Sequence, residues 1–162
     1  MINNAIIVGM ADLNVTKAPG VLTTLGLGSC VGIALYDNMN KIAGLAHIML
    51  PDSTQIQNNS NIAKFADTAM VKLINDMVRL GAKKTNMKAK IAGGAQMFAF
   101  DSTNQSMRIG ERNVESVIKN LRMHNIPLIA QETGDSFGRT VELYADDGRF
   151  LIKTIGHGNR TL

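Results

Sequence analysis

The sequence predicts an α+β layered fold in which two main helices pack against about seven or eight strands. Three observations lead to this prediction. Short apolar segments rich in β-branched residues occupy both ends of the chain, and two segments between them carry apolar residues at helical spacing. Turn-forming residues join the strands into hairpins near both ends. Strands and helices do not alternate regularly, so the pattern is not that of a doubly wound parallel sheet.

The first half of the chain is predicted to be mostly strand. The polar stretch 37–40 separates two of the apolar segments and predicts a hairpin. Pro51 ends the second of these strands, because proline cannot donate a hydrogen bond to a neighbouring strand. A loop is expected around residues 17–20, and residues 52–61 form a polar surface loop. The strands predicted in this half are residues 5–8, 21–25, 31–36 and 41–50.

Helical spacing of apolar residues predicts helices over residues 63–80 and 112–123. Gly81 is a stop signal for the first helix, and His124 ends the second where a cation interacts favourably with the helix dipole. The dipeptide Asp147-Gly148 predicts a tight hairpin near the end of the chain. The remaining predicted strands are residues 88–92, 128–131, 140–145 and 149–155.

Length and composition are those of one globular domain covering residues 1–162. The chain is 45% hydrophobic and contains a single cysteine, which excludes an intramolecular disulfide and suits a reducing compartment. The first residues lack the basic segment of a signal peptide, and no apolar run reaches the roughly 20 residues of a membrane-spanning helix. We therefore expect a cytoplasmic protein that does not insert into a membrane.

The net charge of +4 permits an acidic partner but does not identify one. The basic residues are scattered, and no zinc-finger spacing or platform of aromatic and basic residues accompanies them. We therefore expect no nucleic-acid partner. No group of His, Cys and carboxylate residues has the spacing of metal ligands, so neither a metal nor a cofactor is expected.

The hairpin at residues 37–40 predicts a pair of chemically reactive side chains. A four-residue turn pairs Tyr36 with Lys41, and a two-residue loop at 38–39 gives the same register. In that register Cys30 lies directly opposite His47, with Cβ atoms about 4.5–5.5 Å apart. An odd-length loop would place them on opposite faces. An imidazole beside a thiol can remove its proton, which makes Cys30 and His47 a candidate nucleophile and base.

The residues before Cys30 predict the rest of a catalytic site. Gly26 and Gly28 allow the backbone to bend sharply, and N–H groups around Ser29 and Cys30 could hold an oxyanion. Thr24 is a candidate to orient the imidazole, if the glycine turn folds its strand back.

Other interpretations of these residues stay open at this point. A lone cysteine in an apolar strand is often a small buried side chain, and His47 could be a hydrogen-bonded core residue. Ser29 is a rival nucleophile, although it lacks a G-x-S-x-G setting. The glycines continue to Gly32 and not to residue 31, so the dinucleotide-binding fingerprint fails. His157, in the final stretch GHGNR, is a weak catalytic candidate.

Four stretches, TLGLGSCVGIALYD, GLAHIMLPDS, IAGGAQMF and IGERNVE in this order, resemble the CheD family of chemoreceptor glutamine deamidases. The resemblance covers most of the chain, up to about residue 155. It implies that Cys30 is the catalytic cysteine, His47 the histidine and Thr24 the threonine of the family's site.

The resemblance also implies a fold and a function. The fold would be an α/β sandwich of mixed, largely antiparallel sheets, similar to certain bacterial deamidating toxins. The function would be conversion of selected chemoreceptor glutamines to glutamates, in the cytoplasm, with the chemotaxis phosphatase CheC as a second partner. Two alternatives remain: a mainly non-catalytic regulator of CheC, and a cysteine protease, because peptide and side-chain amides need the same chemistry.

Overall fold

The computed structural model describes residues 4–97 and 108–162 of the chain. Phe98, the last residue of the IAGGAQMF stretch, lies outside this range. The described residues form ten strands, two α-helices and three short 3₁₀ helices at Ser53–Gln55, Ile62–Lys64 and Lys84–Asn86. The strands and α-helices are, in chain order, β1 (Ile6–Ile7), β2 (Asp12–Lys17), β3 (Val21–Leu27), β4 (Val31–Asp37), β5 (Ile42–Ile48), α1 (Ala66–Leu80), β6 (Met87–Gly93), α2 (Ile109–Met123), β7 (Leu128–Thr133), β8 (Arg139–Tyr144), β9 (Phe150–Thr154) and β10 (Gly158–Thr161).

The strands form two five-stranded sheets. The first sheet has the order β1-β3-β8-β9-β10, and the second has the order β2-β5-β4-β6-β7. The pairs β1–β3 and β6–β7 are parallel, and the other described pairs are antiparallel. This arrangement confirms the predicted α+β fold with mixed, largely antiparallel sheets and two main helices.

Two hydrophobic cores hold the layers together. One core lies between the two sheets and includes Leu22, Leu45 and Phe150. The other lies between the second sheet and the helices and includes Ile33 and Leu73. The second sheet is therefore covered on both faces, which explains why every residue of β5 is buried. In the described part of the chain, no helix combines the length and the apolar character needed to cross a membrane.

Two strands were not predicted from the sequence. β2 pairs with β5 at the edge of the second sheet, and β10 pairs with β9 at the edge of the first. All four residues of β10 are exposed, and β2 buries none of its residues fully. Edge strands of this kind have few apolar side chains, so the hydrophobic pattern does not reveal them.

The helix ends differ slightly from the prediction. α1 begins at Ala66 because Phe65 is extended, and residues 62–64 form a 3₁₀ turn instead. Its predicted end is confirmed, since the N–H of Gly81 bonds to the carbonyl oxygens of Met77 and Val78. α2 begins three residues earlier than predicted.

Candidate active site

Thr24 and His47 contact each other across the two sheets. Thr24 lies on β3 of the first sheet, His47 lies on β5 of the second, and both side chains are buried. The Oγ1 atom of Thr24 lies 2.6 Å from Nδ1 of His47 and 2.6 Å from the carbonyl oxygen of Val8. Val8 follows β1, and its own N–H donates to the carbonyl of Thr23. The predicted contact between Thr24 and the imidazole is therefore present.

The bonds of the Thr24 hydroxyl determine which nitrogen of the His47 ring carries the proton. The carbonyl oxygen of Val8 can only accept, so the one hydroxyl proton of Thr24 goes to it. Nδ1 of His47 must then donate to Oγ1 of Thr24, and the proton of the neutral ring lies on Nδ1. The other nitrogen, Nε2, is buried and has no hydrogen-bond partner within the described part of the chain. Its lone pair is free to accept a proton.

The β4–β5 hairpin does not have the predicted register. Asp37 pairs with Ile42, the turn comprises residues 38–41, and Gly32 lies opposite His47. The prediction that Cys30 lies directly opposite His47 is wrong by two residues.

Asp37 is the physical reason for this register. Its buried carboxylate accepts hydrogen bonds from the backbone N–H groups of Met39, Asn40 and Lys83, and from the side-chain amide of Asn40. These bonds fix Asp37 as the last residue of the strand, paired with Ile42, whereas the prediction placed it first in the turn or paired it with Asn40. Lys41 closes the turn with a positive φ of 56°.

Cys30 and His47 still share one face of the second sheet, because a shift of two residues preserves the face. Cys30 lies just before β4, two residues ahead of Gly32, so continuing the ladder by one residue would make it a diagonal neighbour of His47. Diagonal positions in a regular ladder are about 7–8 Å apart, further than opposed ones. Ala34 and Leu45, the next residues on the same face of β4 and β5, lie in the core between the sheets. Cys30 belongs to the same core. The predicted hydrogen bond between the thiol and the imidazole is absent from the described structure.

A bulge at Gly26 connects Thr24 to the turn that carries Cys30. The β3–β8 register shifts between Thr24 and Leu27, and Gly26 has a positive φ of 70°. A residue with a Cβ adopts this conformation only at a cost, so the sharp bend that Gly26 and Gly28 were expected to allow occurs at Gly26. Gly28 has no positive φ, and its N–H donates to the Gly26 carbonyl at 3.0 Å.

Three successive carbonyl groups of the turn receive hydrogen bonds from the segments that follow β6. The carbonyl of Gly28 accepts from the N–H of Ala95 at 2.8 Å, and that of Cys30 accepts from the N–H of Gly94 at 2.8 Å. The carbonyl of Ser29 accepts from the side-chain amide of Asn113 on α2 at 2.9 Å. The orientation of this turn is therefore fixed by three donors.

The N–H groups of Ser29 and Cys30 have no carbonyl or carboxylate acceptor in the described residues. The N–H of Cys30 interacts with its own thiol, where it lowers the pKa, although burial has the larger and opposite effect. Two neighbouring N–H groups beside a nucleophile are suited to stabilise a developing oxyanion.

Burial controls the protonation of both reactive groups. It raises the pKa of the Cys30 thiol and lowers the pKa of the His47 imidazole, because a buried site disfavours the charged form of each group. Both shifts favour a neutral thiol beside a neutral imidazole in the resting protein. A thiol in this environment can act as a nucleophile only if a neighbouring base removes its proton.

Gly93 and Asn113 contribute to this site, and neither was predicted to. Gly93 has a φ of 112°, and a Cβ at this position would collide with the carbonyl oxygen of Cys30. Asn113 is buried in α2 and reaches the turn with its side chain. Both residues belong to stretches that resemble the CheD family, IAGGAQMF and IGERNVE, but the chemistry of Cys30 and His47 gives no reason to place them beside the turn.

The other two candidate residues, Ser29 and His157, form no hydrogen bond with the His47 ring in the described structure. Ser29 is part of the turn, next to Cys30, and its carbonyl is bonded to Asn113. His157 lies on the turn between β9 and β10 and stacks on Phe137, with ring centroids 4.0 Å apart. No group of three or more potential ligand side chains in the described ranges could hold a metal ion.

A cysteine, a histidine and a residue that orients the imidazole form the grouping typical of hydrolases with a thiol nucleophile. The sequence comparisons name a family. A family model described as "CheD chemotactic sensory transduction" matches residues 49–154. A "Probable chemoreceptor glutamine deamidase CheD" of Lachnoclostridium phytofermentans is 56% identical over 149 residues, which cover 92% of each chain. The chain belongs to the CheD family.

The segment with the candidate site residues precedes the part matched by the family model. It is nevertheless included in the match to the "Chemoreceptor glutamine deamidase CheD" of Halalkalibacterium halodurans, which is 50% identical over 161 residues and covers 99% of each chain. Among solved structures, the hypothetical protein YfiH of Bacillus licheniformis matches with a TM-score of 0.42 and 15% identity. That match covers 75% of this chain and 50% of that one.

Proposed function

We propose that this protein is a chemoreceptor glutamine deamidase, which hydrolyses the side-chain amides of selected receptor glutamines through a thioester on Cys30. Membership of the CheD family, whose curated relatives are named for this activity, supports the substrate. The observation that carries the mechanism is the bond between Thr24 and His47, because it leaves Nε2 of His47 free on the same face as the thiol.

The first half of the reaction forms the thioester. His47 Nε2 takes the proton of the Cys30 thiol, and the sulfur attacks the amide carbon of the glutamine side chain. Negative charge develops on the amide oxygen, where the N–H groups of Ser29 and Cys30 stabilise it. The carbon–nitrogen bond then breaks, and protonated His47 gives its proton to the departing ammonia.

The second half releases glutamate. His47 Nε2 takes a proton from a water molecule, and the resulting hydroxide attacks the thioester carbon. The carbon–sulfur bond breaks, and the proton returns from His47 to the sulfur of Cys30. The net reaction converts one glutamine side chain and one water into one glutamate side chain and ammonia. A methyl ester could enter the same route, which predicts weak esterase activity.

Formation of the reactive pair requires a small movement of Cys30 toward His47. Catalytic hydrogen bonds are often long in the free enzyme and tighten only when substrate binds. Rotation of the Cys30 side chain about its Cα–Cβ bond supplies this movement, because the backbone of the turn is held by three donors.

Intact mass spectrometry of a receptor fragment incubated with the protein tests this function. Each deamidation replaces an NH group by oxygen and adds about one dalton without cutting the chain. Cys30→Ala should leave the fragment unmodified, because no nucleophile remains, while its circular dichroism stays native. An unchanged fragment with the wild-type protein, or wild-type turnover by Cys30→Ala, would contradict the proposal. Cleavage of the fragment would instead indicate a protease.

We also place the protein in the cytoplasm, where it binds the phosphatase CheC. The family resemblance supports this second partner. His47→Ala should abolish deamidation and keep CheC binding in calorimetry, because one buried side chain contributes little contact area. Loss of CheC binding by a natively folded His47→Ala protein would instead make His47 an interface residue and favour the regulatory role.

A further inference from the structure

Asn113 joins the two segments that carry the reactive groups. Its side chain on α2 is fully buried, and its Nδ2 atom lies 2.9 Å from the carbonyl oxygen of Ser29 and 2.9 Å from that of Met49. Ser29 directly precedes Cys30, and Met49 follows His47 by two residues. One amide group therefore bonds to both the turn of the nucleophile and the end of the strand of the base.

The orientation of the Asn113 amide follows from its two partners. Both are carbonyl oxygens, which accept and cannot donate, so the NH₂ group must face them. Both of its protons are used in these bonds. The remaining oxygen, Oδ1, is buried and has no hydrogen-bond partner among the described residues. A buried acceptor without a partner destabilises the folded state, so this side chain is not placed for stability alone.

We infer that Asn113 is a positioning residue, which sets the distance between Cys30 and His47 by tying the Cys30 turn to the end of β5. This inference rests on the proposed function. No other side chain in the described ranges bonds to both segments. The start of α2 packs closely on the segment after β6, since a Cβ at Gly110 would collide with the carbonyl of Ala95. That segment in turn donates hydrogen bonds to the Cys30 turn through Gly94 and Ala95.

The geometry of the donor explains why the residue is an asparagine. Its NH₂ group presents two protons about 120° apart from a short, stiff stem, and so reaches two carbonyls at once. An aspartate has nearly the same shape but can donate at most one hydrogen bond, and only when protonated. Loss of the bridge would let the thiol and the imidazole drift apart.

Asn113→Asp tests the inference. We expect kcat on a receptor fragment to fall about 100-fold, because displacement of a reacting group by about 1 Å can cost that much. KM should stay within about twofold, since the surface that binds the receptor is not altered. A natively folded Asn113→Asp protein with kcat within about twofold of wild type would overturn the inference.

Asn120→Asp and Ser116→Ala are the matched controls. Asn120 is also buried in α2, but its amide donates only to Ser116 of the same helix. Ser116 donates its hydroxyl to the carbonyl of Pro51 at 2.6 Å, so it holds the segment after β5 without touching the Cys30 turn. Both variants should keep kcat within about threefold of wild type. If they lose as much kcat as Asn113→Asp at equal stability, the bridge has no specific role.

The rate of Cys30 alkylation by iodoacetamide is a second readout, which does not depend on deamidation. Cys30 is the only cysteine, so the incorporated label reports on this site alone. Asn113→Asp should be alkylated several-fold faster than wild type at neutral pH, because a loosened turn exposes the thiol. The two controls should match the wild-type rate. An unchanged rate in Asn113→Asp would contradict the inference even if no receptor fragment were a substrate.

A measurement on the wild-type protein covers the case in which Asn113→Asp does not fold. Both side-chain amide protons of Asn113 should exchange slowly with deuterium in nuclear magnetic resonance spectra, since both are buried and bonded. Alkylation of Cys30 should shift these two signals more than those of Asn120. Fast exchange of either Asn113 proton, or equal shifts at both residues, would overturn the inference.

Discussion

At the residue scale, the Thr24 hydroxyl determines which nitrogen of the His47 ring carries the proton. It donates to Val8 and accepts from Nδ1 of His47, so the imidazole cannot present the wrong nitrogen to Cys30. In the triads of hydrolases a third group has the same role, which is to hold the imidazole in one tautomer and one orientation. In this protein the group that holds the imidazole is the neutral hydroxyl of Thr24, which is itself held by the carbonyl of Val8.

Thr24→Val should lower kcat about 10- to 100-fold, because the isosteric side chain removes the acceptor for Nδ1. Thr23→Val is the control, since the Thr23 hydroxyl donates to the carbonyl of Val141 and does not touch His47. Nitrogen-15 spectra of the ring should show the Nδ1–H form in wild type and Thr23→Val, and a mixture of tautomers in Thr24→Val. A single Nδ1–H form in Thr24→Val would contradict this assignment.

The grouping of Cys30, His47 and Thr24 could be predicted from the sequence, but its detailed geometry could not. Whether Cys30 and His47 share a face of the sheet depends only on whether the loop between their strands has an even or odd number of residues. The prediction of an even loop is confirmed by the four-residue turn. The register depends on the Asp37 carboxylate, whose partners include the distant N–H of Lys83. The contact of Asn113 with the Cys30 turn was not predicted, because its partners are backbone carbonyls. Every residue has a backbone carbonyl, so no sequence pattern indicates which of them will be bonded.

At the element scale, the end of β6 packs against the backbone of the Cys30 turn. Gly93 pairs with Val31, and the next residue, Gly94, donates its N–H to the Cys30 carbonyl. The backbone of β6 therefore approaches the Cys30 turn more closely than a side chain would permit.

Gly93→Ala should destabilise the protein by about 2–4 kcal/mol and abolish most deamidation, because strain at positive φ adds to a collision with Cys30. Gly156→Ala is the control. Gly156 has a positive φ of 83°, and nothing lies within 4 Å of the position of its Cβ. That variant should lose only about 1 kcal/mol and keep its activity. Urea unfolding and deamidation assays measure both effects. Equal losses in the two variants would mean that close packing at Gly93 does not matter.

The central strands and both helices were predictable because they are buried on one or two faces and show the corresponding periods. The edge strands β2 and β10 were not. β2 is positioned by its pairing with β5, in which Asp12 lies opposite His47. Such pairing is a property of the assembled sheet and not of the strand's own sequence.

At the scale of the whole molecule, the site lies where the two sheets meet. Thr24 comes from the first sheet, and His47 comes from the second, so their hydrogen bond exists only when the sheets are packed. Burial by this packing is also what lowers the pKa of His47.

The stability of the protein should therefore fall as the pH decreases below about 6.5. The unfolded chain binds a proton on His47 near its ordinary pKa of 6.5, whereas the folded protein binds it only at lower pH. Protonation in this window thus favours the unfolded state. His124, whose pKa is lowered by burial and by Lys84, acts in the same direction. The carboxylates with lowered pKa, Asp37 among them, act only at more acidic pH.

Urea unfolding at about pH 7.5 and pH 5.5 measures this dependence. His47→Gln should show a smaller decrease in the free energy of unfolding between the two values than wild type, and His124→Gln separates the second contribution. A wild-type free energy that is equal at both values, or higher at the lower pH, would contradict the protonation states assigned to the site.

The buried thiol of Cys30 also bears on how the protein withstands oxidants. Peroxides oxidise thiolates to sulfenic acid and react far more slowly with protonated thiols. Because burial raises the pKa of Cys30, little thiolate exists while no substrate is bound, and the thiol is only 7% exposed. The same burial that keeps the thiol protonated therefore also protects the only cysteine of the chain from oxidation.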